Sequence, residues 1–172
     1  MEFQNLIEKR RSVRKYAERN TVTKDEILSM IKAAQEAPSW KNSQTGRYYC
    51  IMDEKNVEQF RRECLPEMNA VLLVSTFVHN RAGFQKDGTA DNELGNGWGC
   101  YDLGLQNENL ILKAEELGYG TLVMGIRDAD KIREFCSVPE TETVVGVIAV
   151  GVPGEEPGRP KRKDTEEIVK FL

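Results

Sequence analysis

Ala70-Val71-Leu72-Leu73-Val74-Ser75-Thr76-Phe77-Val78 is a continuous apolar run of strand length, and it decides the fold. A run of apolar residues with no alternation has the pattern of a strand covered on both faces, so it predicts a central strand. The segments around it agree. Residues 143–152 (TVVGVIAVGV) predict a second such strand, and residues 48–52 (YYCIM) and 121–126 (TLVMGI) predict shorter ones.

Helical patterns lie between these runs. Phe3, Leu6 and Ile7 mark a short helix that runs into the basic string Lys9-Arg10-Arg11-Ser12-Val13-Arg14-Lys15. Thr23 and Glu26 have capping-box spacing ahead of the stripe Ile27, Met30, Ile31 and Ala34, and Pro38 closes that helix. Val57, Phe60 and Cys64 mark a third helix. Residues 98–117 read as one long helix with Tyr101, Leu105, Leu112 and Ala114 inward, unusually polar at Asp102, Gln106, Asn107 and Asn109, and stopped by Gly118-Tyr119-Gly120. Asp128 caps a last helix through Ile132 and Phe135. The glycine-bearing polar stretch 79–97 is long for a plain connection and is a candidate lid or a shortened relic of one. The alternation predicts a layered α+β domain over residues 1–172 with no internal boundary and no G-x-G-x-x-G turn of a Rossmann unit.

Composition narrows the function. With 24 Lys and Arg against 28 Asp and Glu the formal charge is −4, which disfavours a general nucleic-acid binder. The single histidine, His79, is too few for a multi-histidine metal site, and it reads as a partly buried structural residue after the central strand. Cys50, Cys64, Cys100 and Cys136 contain no C-x-x-C pair and read as reduced and mostly buried. No signal-peptide core opens the sequence and no stretch reaches the roughly 20 apolar residues of a membrane span, so the expected location is the cytoplasm. At 40% hydrophobic residues the chain is lean for enclosing a ligand alone, a shortage that a partner subunit would relieve.

Three segments carry chemistry. Arg10-Arg11-Ser12-x-Arg14 near one end, and Arg159, Lys161, Arg162 and Lys163 near the other, offer guanidinium forks and a hydroxyl suited to a phosphate; the alternative is two solvated basic patches. Pro38-Ser39-Trp40-Lys41-Asn42-Ser43-Gln44 puts amides, hydroxyls and a flat indole in one loop, as a heteroaromatic ligand requires, unless it is an ordinary helix-ending loop. Gly125, after a hydrophobic strand, lets backbone approach a ligand closely or marks a bulge.

In their order, RRSVRKY, APSWKNSQ, DLGLQNENL leading to LGYGTLVMG, and PKRKDTEEIV, these segments resemble the nitroreductase family of FMN-dependent oxidoreductases over nearly the whole chain. The resemblance implies an α+β fold with a central mixed β-sheet flanked by helices, in an obligate homodimer that exchanges C-terminal tails and holds FMN at the subunit interface. It implies phosphate binding by Arg10 and Ser12 with Arg11 giving backbone contact, and closure of that site by Arg162 or Lys161. Arg14 would stabilise the reduced flavin, Pro38, Ser39, Trp40, Asn42 and Gln44 would reach the ring from the other subunit, and Met124 and Gly125 would lay backbone against it. No side-chain catalyst and no metal is implied.

The implied activity is hydride transfer from NADH or NADPH through flavin to nitroaromatic, quinone or related small-molecule acceptors, with ping-pong kinetics. Reduction of an activated C=C bond, reductive dehalogenation, and flavin binding without turnover are the alternatives. Two departures stand out. Relatives continue the loop as Asn-x-Gln-Pro-Trp where this chain has Gln44-Thr45-Gly46-Arg47, and the 79–97 stretch replaces the helices that longer members insert, implying a more open or differently covered pocket.

Overall fold

The computed structural model describes residues 2–18, 21–64 and 70–172. Among these, four strands form one sheet: β1 (Gly46–Ile51), β2 (Val71–Val78), β3 (Gly120–Met124) and β4 (Glu142–Gly151), in the order β1-β2-β4-β3. All three pairings are antiparallel, and one row of the register runs Tyr49, Val74, Val147, Met124 across the sheet. A bulge at Val145 interrupts the β2–β4 ladder, since Ser75 faces Gly146 while Thr76 already faces Val144. The mixed character implied by the family resemblance is confined to an isolated parallel bridge between Ser12 and Thr121 at the β3 edge.

Alternate side chains of the central strands enter two separate cores, as the twofold period of a strand requires. Leu72, Val74, Val147 and Ala149 pack with Val57 and Phe60 of α3 (Glu54–Cys64) and Ile132 of α5 (Ala129–Cys136). Val71, Leu73, Ile148 and Val150 pack with Ile27, Met30 and Ala34 of α2 (Lys24–Gln35) and Leu110, Ile111 and Ala114 of α4 (Gly97–Glu116). Each fully buried side chain of this size contributes about 1.5–3 kcal/mol, so the two faces together justify the unbroken apolar run at 70–78. The capping box at α2 is formed in both directions, with the Glu26 amide donating to Thr23 Oγ1 and the Thr23 amide donating to Glu26 Oε2 at 2.8 Å.

Two expectations are corrected. In α4, Tyr101 is 59% exposed and Leu105 and Leu112 are half-buried, while Asp102, Leu103, Gln106, Leu110 and Ile111 join Ala114 inside. The helix touches α2, α1 (Phe3–Lys9) and the sheet at once, so its buried arc is set by several neighbours and not by one apolar stripe. The cysteines are free, but only Cys64 is buried; Cys50, on edge strand β1, and Cys100, in the first turn of α4, are exposed.

The segment after α1 is held between β3 and the start of the tail. The Val13 amide donates to the Thr121 carbonyl at 2.9 Å, and Val13 packs where Gly120 has no side chain; a Cβ there would lie 2.6 Å from Val13 Cγ2. On its other side the Ala17 amide donates to the Val152 carbonyl at 3.0 Å and the Gly154 amide to the Lys15 carbonyl at 2.9 Å.

Candidate functional site

Backbone pairing fixes the basic segment. Glu155 Oε1 accepts from the Arg14 and Lys15 amides, both at 3.2 Å, so a tail carboxylate is spent on backbone, and among the described residues Arg14 Nη1 donates only to the Ser12 carbonyl, at 3.4 Å. Arg11 turns back onto the Glu8 and Arg10 carbonyls, at 2.5 and 2.8 Å. Half-buried Arg10 and exposed Arg14 flank half-buried Ser12, and among the described residues neither has a carboxylate within ion-pair distance. Two unpaired cations beside a hydroxyl on strand-pinned backbone form a set that fits a phosphate.

Past α2, the chain turns sharply at residues 38–44. A short 3-10 turn, Trp40–Asn42, contains left-handed backbone at Lys41 and Asn42, and Gln44 is left-handed as well, with φ of 47°, 55° and 47°. Three such residues of non-glycine type in four positions are costly, so the loop has to be held from outside. The Trp40 amide donates to Asp102 Oδ2 at 2.9 Å, the Gln44 amide donates to Ser39 Oγ at 3.1 Å, and Trp40 Nε1 and Lys41 Nζ both reach Asp91 Oδ2, at 3.2 and 3.1 Å. The indole of Trp40 lies 4.4 Å from that of Trp98, and Trp98 Nε1 donates to Asn92 Oδ1 at 2.9 Å. Pro38, Asn42 and Gln44 remain exposed at the rim.

Met124 ends β3 with its side chain in the core, and Gly125 follows it exposed, with open space where a Cβ would stand. Arg127 Nη1 donates to the Gly125 carbonyl at 3.1 Å. Lys161 and Arg162 are exposed on the extended tail, where Arg162 Nη1 meets the Pro160 carbonyl at 3.3 Å. The tail begins close to the basic segment, and Arg159 Nη1 lies 3.9 Å from Glu8 Oε2. Within one chain, then, Ser12 is joined to β3 through Thr121, whereas the 38–44 loop is joined to α4 and the 79–97 stretch. Among the described residues no hydrogen bond or ion pair links the two halves.

Sequence reasoning did not single out Asp91, Trp98 or Glu155, or assign Asp102 to the loop. Asp91 and Glu155 look like ordinary surface carboxylates in the sequence; the buried polar positions of α4 were the one available signal. Burial raises the Asp102 pKa above the usual aspartate value, opposed by the Trp40 amide that donates to it. The 79–97 stretch is ordered by a bridge between Phe84 and Ala90 and by the Gln85 amide donating to the Thr89 carbonyl at 2.8 Å. It braces Trp40 through Asp91 and Trp98, while Pro38, Lys41, Asn42 and Gln44 stay exposed.

Among the described residues, no helix is long and apolar enough to cross a membrane and no cluster of three metal-ligating side chains is present. The model of the nitroreductase family matches residues 7–152. A protein of Archaeoglobus fulgidus named as an NADH dehydrogenase/NAD(P)H nitroreductase is 27% identical over 165 residues, covering 88% of this chain and 85% of the relative. An NADPH-dependent oxidoreductase of Staphylococcus aureus is also 27% identical over 165 residues, but this chain spans only 65% of its length. The crystal structure of a BluB-like flavoprotein from Clostridium difficile 630 superposes with a TM-score of 0.76 at 27% identity, covering 100% of this chain and 99% of that one.

Proposed function

The chain belongs to the nitroreductase family, and on that premise we propose that it is an FMN-dependent NAD(P)H oxidoreductase acting on nitroaromatic, quinone or related electrophilic acceptors. The functional unit is a homodimer with flavin between the subunits, and turnover is ping-pong. The observation that carries the reading is the pair of unpaired cations, Arg10 and Arg14, beside Ser12 on backbone pinned to β3. That set fits the phosphate of FMN, and the separation of this half from the 38–44 loop within one chain fits a site completed by a second copy. Similarity to a protein named a flavoprotein and to others named NAD(P)H nitroreductase and NADPH-dependent oxidoreductase supports the same reading.

Bound FMN supplies the hydride chemistry. The chain's own residues bind and orient. Arg10 and Ser12 hold the phosphate, with Arg11 contributing backbone and Lys161 and Arg162 closing the site from the tail. Arg14 contributes a fixed positive charge, which favours a ligand that gains negative charge on reduction, because a preorganised charge costs no rearrangement during reaction. Pro38, Ser39, Trp40, Asn42 and Gln44 present polar groups and an indole to a planar ring, and the backbone at Met124 and Gly125 admits close approach.

Purified protein should carry a yellow flavin chromophore that anaerobic NADH or NADPH bleaches and that a nitroaromatic or quinone restores. A colourless protein that takes up no added FMN overturns the proposal, and sequential kinetics with a ternary complex overturns the ping-pong form.

A further inference from the structure

A cavity of about 570 Å³ opens where the start of β1 and the end of β2 meet the 79–97 stretch, with Ser43 and Thr45 in its lining. Its size suits a small organic ligand. Arg47, Arg81 and Lys86 line it, and no carboxylate does. Among the described residues none of the three cations has an acidic group within ion-pair distance, in a chain whose net charge is −4. Three cations in the lining of a cavity with no carboxylate in that lining are a local excess of positive charge that a bound anion would neutralise.

Two further features show a built cavity and not a chance gathering of surface charge. Arg47 Nη1 donates to the Gln44 and Gly46 carbonyls, at 2.9 and 2.7 Å, which fixes the guanidinium and leaves its other donors available. Thr45 is only 2% exposed and lines the same cavity, yet its hydroxyl has no hydrogen-bond partner among the described residues. A buried hydroxyl without a partner costs about as much as a lost hydrogen bond, and a ligand oxygen would remove that cost. The Gln85–Gly88 turn also lines the cavity, and the two ends of the 79–97 stretch are tied together: the Asn80 amide donates to Asn96 Oδ1 at 2.7 Å, and Asn96 Nδ2 donates back to Asn80 Oδ1 at 2.9 Å. Phe84 adds an apolar surface for a ring.

We propose that this cavity is an oxyanion subsite that takes the carboxylate or phosphate of a small ring-bearing ligand, held by Arg47, Arg81, Lys86 and the Thr45 hydroxyl. The subsite stands on its own geometry; only the naming of its ligand as a reductase substrate rests on the proposed function. Two sources share the chemistry, the 2′-phosphate of NADPH and the carboxylate of an aromatic acceptor.

Calorimetric titration of the full chain with two pairs of probes separates them: 2′-AMP against adenosine, and 4-nitrobenzoate against 4-nitrobenzamide. Wild type is expected to bind at least one charged probe about tenfold or more tightly than its neutral twin, the scale of one charge-assisted hydrogen bond. Preference for 2′-AMP identifies the nucleotide as the source, and preference for 4-nitrobenzoate identifies the acceptor. Combining Arg81→Gln with Lys86→Gln, both at exposed positions, should bring the ratio close to one. Thr45→Val, which keeps the shape, should lower it several-fold with unchanged circular dichroism. Equal binding of charged and neutral twins by wild type, or a ratio that survives the double substitution, overturns the proposal. Flavin content and its bleaching by NADPH are read on the same samples. A flavin-free protein that keeps the ratio sinks the proposed function and leaves the subsite, and a reducible flavoprotein without the ratio does the reverse.

Discussion

The carboxylate of Asp102, buried in α4, accepts a hydrogen bond at 2.9 Å from the backbone amide of Trp40, 62 positions earlier in the chain. The turn Trp40–Asn42 has no cap from its own Ser39 side chain, so a carboxylate from another helix satisfies its leading N–H. Asp102 is thus a positioning residue for the loop. Asp102→Ala should cost about 1–3 kcal/mol in urea unfolding, since it strands that amide. Asp102→Asn, which keeps an acceptor, should recover part of the loss. Full stability in the alanine variant would show that the loop is held by its other contacts alone.

Asp102 and Glu26 should answer to acid with opposite sign. Hydrogen bonds from the Thr23 backbone and hydroxyl hold Glu26 below the ordinary glutamate value, with burial opposing and the Tyr119 hydroxyl adding to the effect. Its contribution to stability is present above the ordinary value and is lost as pH falls through the lowered one. Burial raises Asp102, so its contribution is present below the ordinary aspartate value and is lost as pH rises through the raised one. Melting temperatures of wild type minus Glu26→Gln should therefore shrink on acidification, and those of wild type minus Asp102→Asn should grow. Parallel trends in the two series would contradict the assignments.

Gly99, in the first turn of α4, leaves room for the ring of Phe77 on β2, which a Cβ would strike. Gly99→Ala gains up to about 1 kcal/mol of helix propensity but overpacks a rigid contact, typically at about 1–3 kcal/mol. The net expectation is destabilisation with an unchanged urea m-value. A more stable variant would mean that Phe77 can move aside freely.

Arg10 is the test of the phosphate half. Arg10→Ala should weaken FMN retention by about 1.5–3 kcal/mol, the scale of a hydrogen bond to a charged group, read by recovery of free-flavin fluorescence on dilution. Arg10→Lys keeps the charge without the fork and should fall between. An unchanged dissociation constant removes Arg10 from the site.

Much of this was legible in the sequence because local rules and the fold agree. The run at 70–78 is apolar because β2 is covered on both faces, Thr23 and Glu26 form the box their spacing announces, and Val57, Phe60 and Cys64 are the buried residues of α3. What was illegible depends on contacts distant in sequence. The face of α4 is set by several neighbours, so periodicity misplaced Tyr101. Asp91 and Glu155 acquire their roles only when the 79–97 stretch reaches Trp40 and the tail returns to Arg14. The candidate site is legible as motifs but not as a constellation, since the chain alone does not join the halves.

The tail is where the homodimer proposal is most exposed to test. Residues 161–172 are exposed throughout, and they include Ile168 at 73% and Phe171 at 91% exposure. Apolar side chains on an exposed tail gain about 25 cal/mol per Å² on burial, and a second copy would supply the surface. The 172-residue chain should sediment as a dimer at micromolar concentration, and deletion of residues 160–172 should shift it toward monomer and release flavin. The deletion also removes Lys161 and Arg162, so Ile168→Asp combined with Phe171→Asp separates the two effects. That variant keeps both cations yet should lose dimer affinity, and with it flavin, because the other half of the ring site departs with the partner. A monomer of the 172-residue chain that retains flavin, or a truncated chain that dimerises as tightly as the untruncated one, would show that the tail is not what joins the copies.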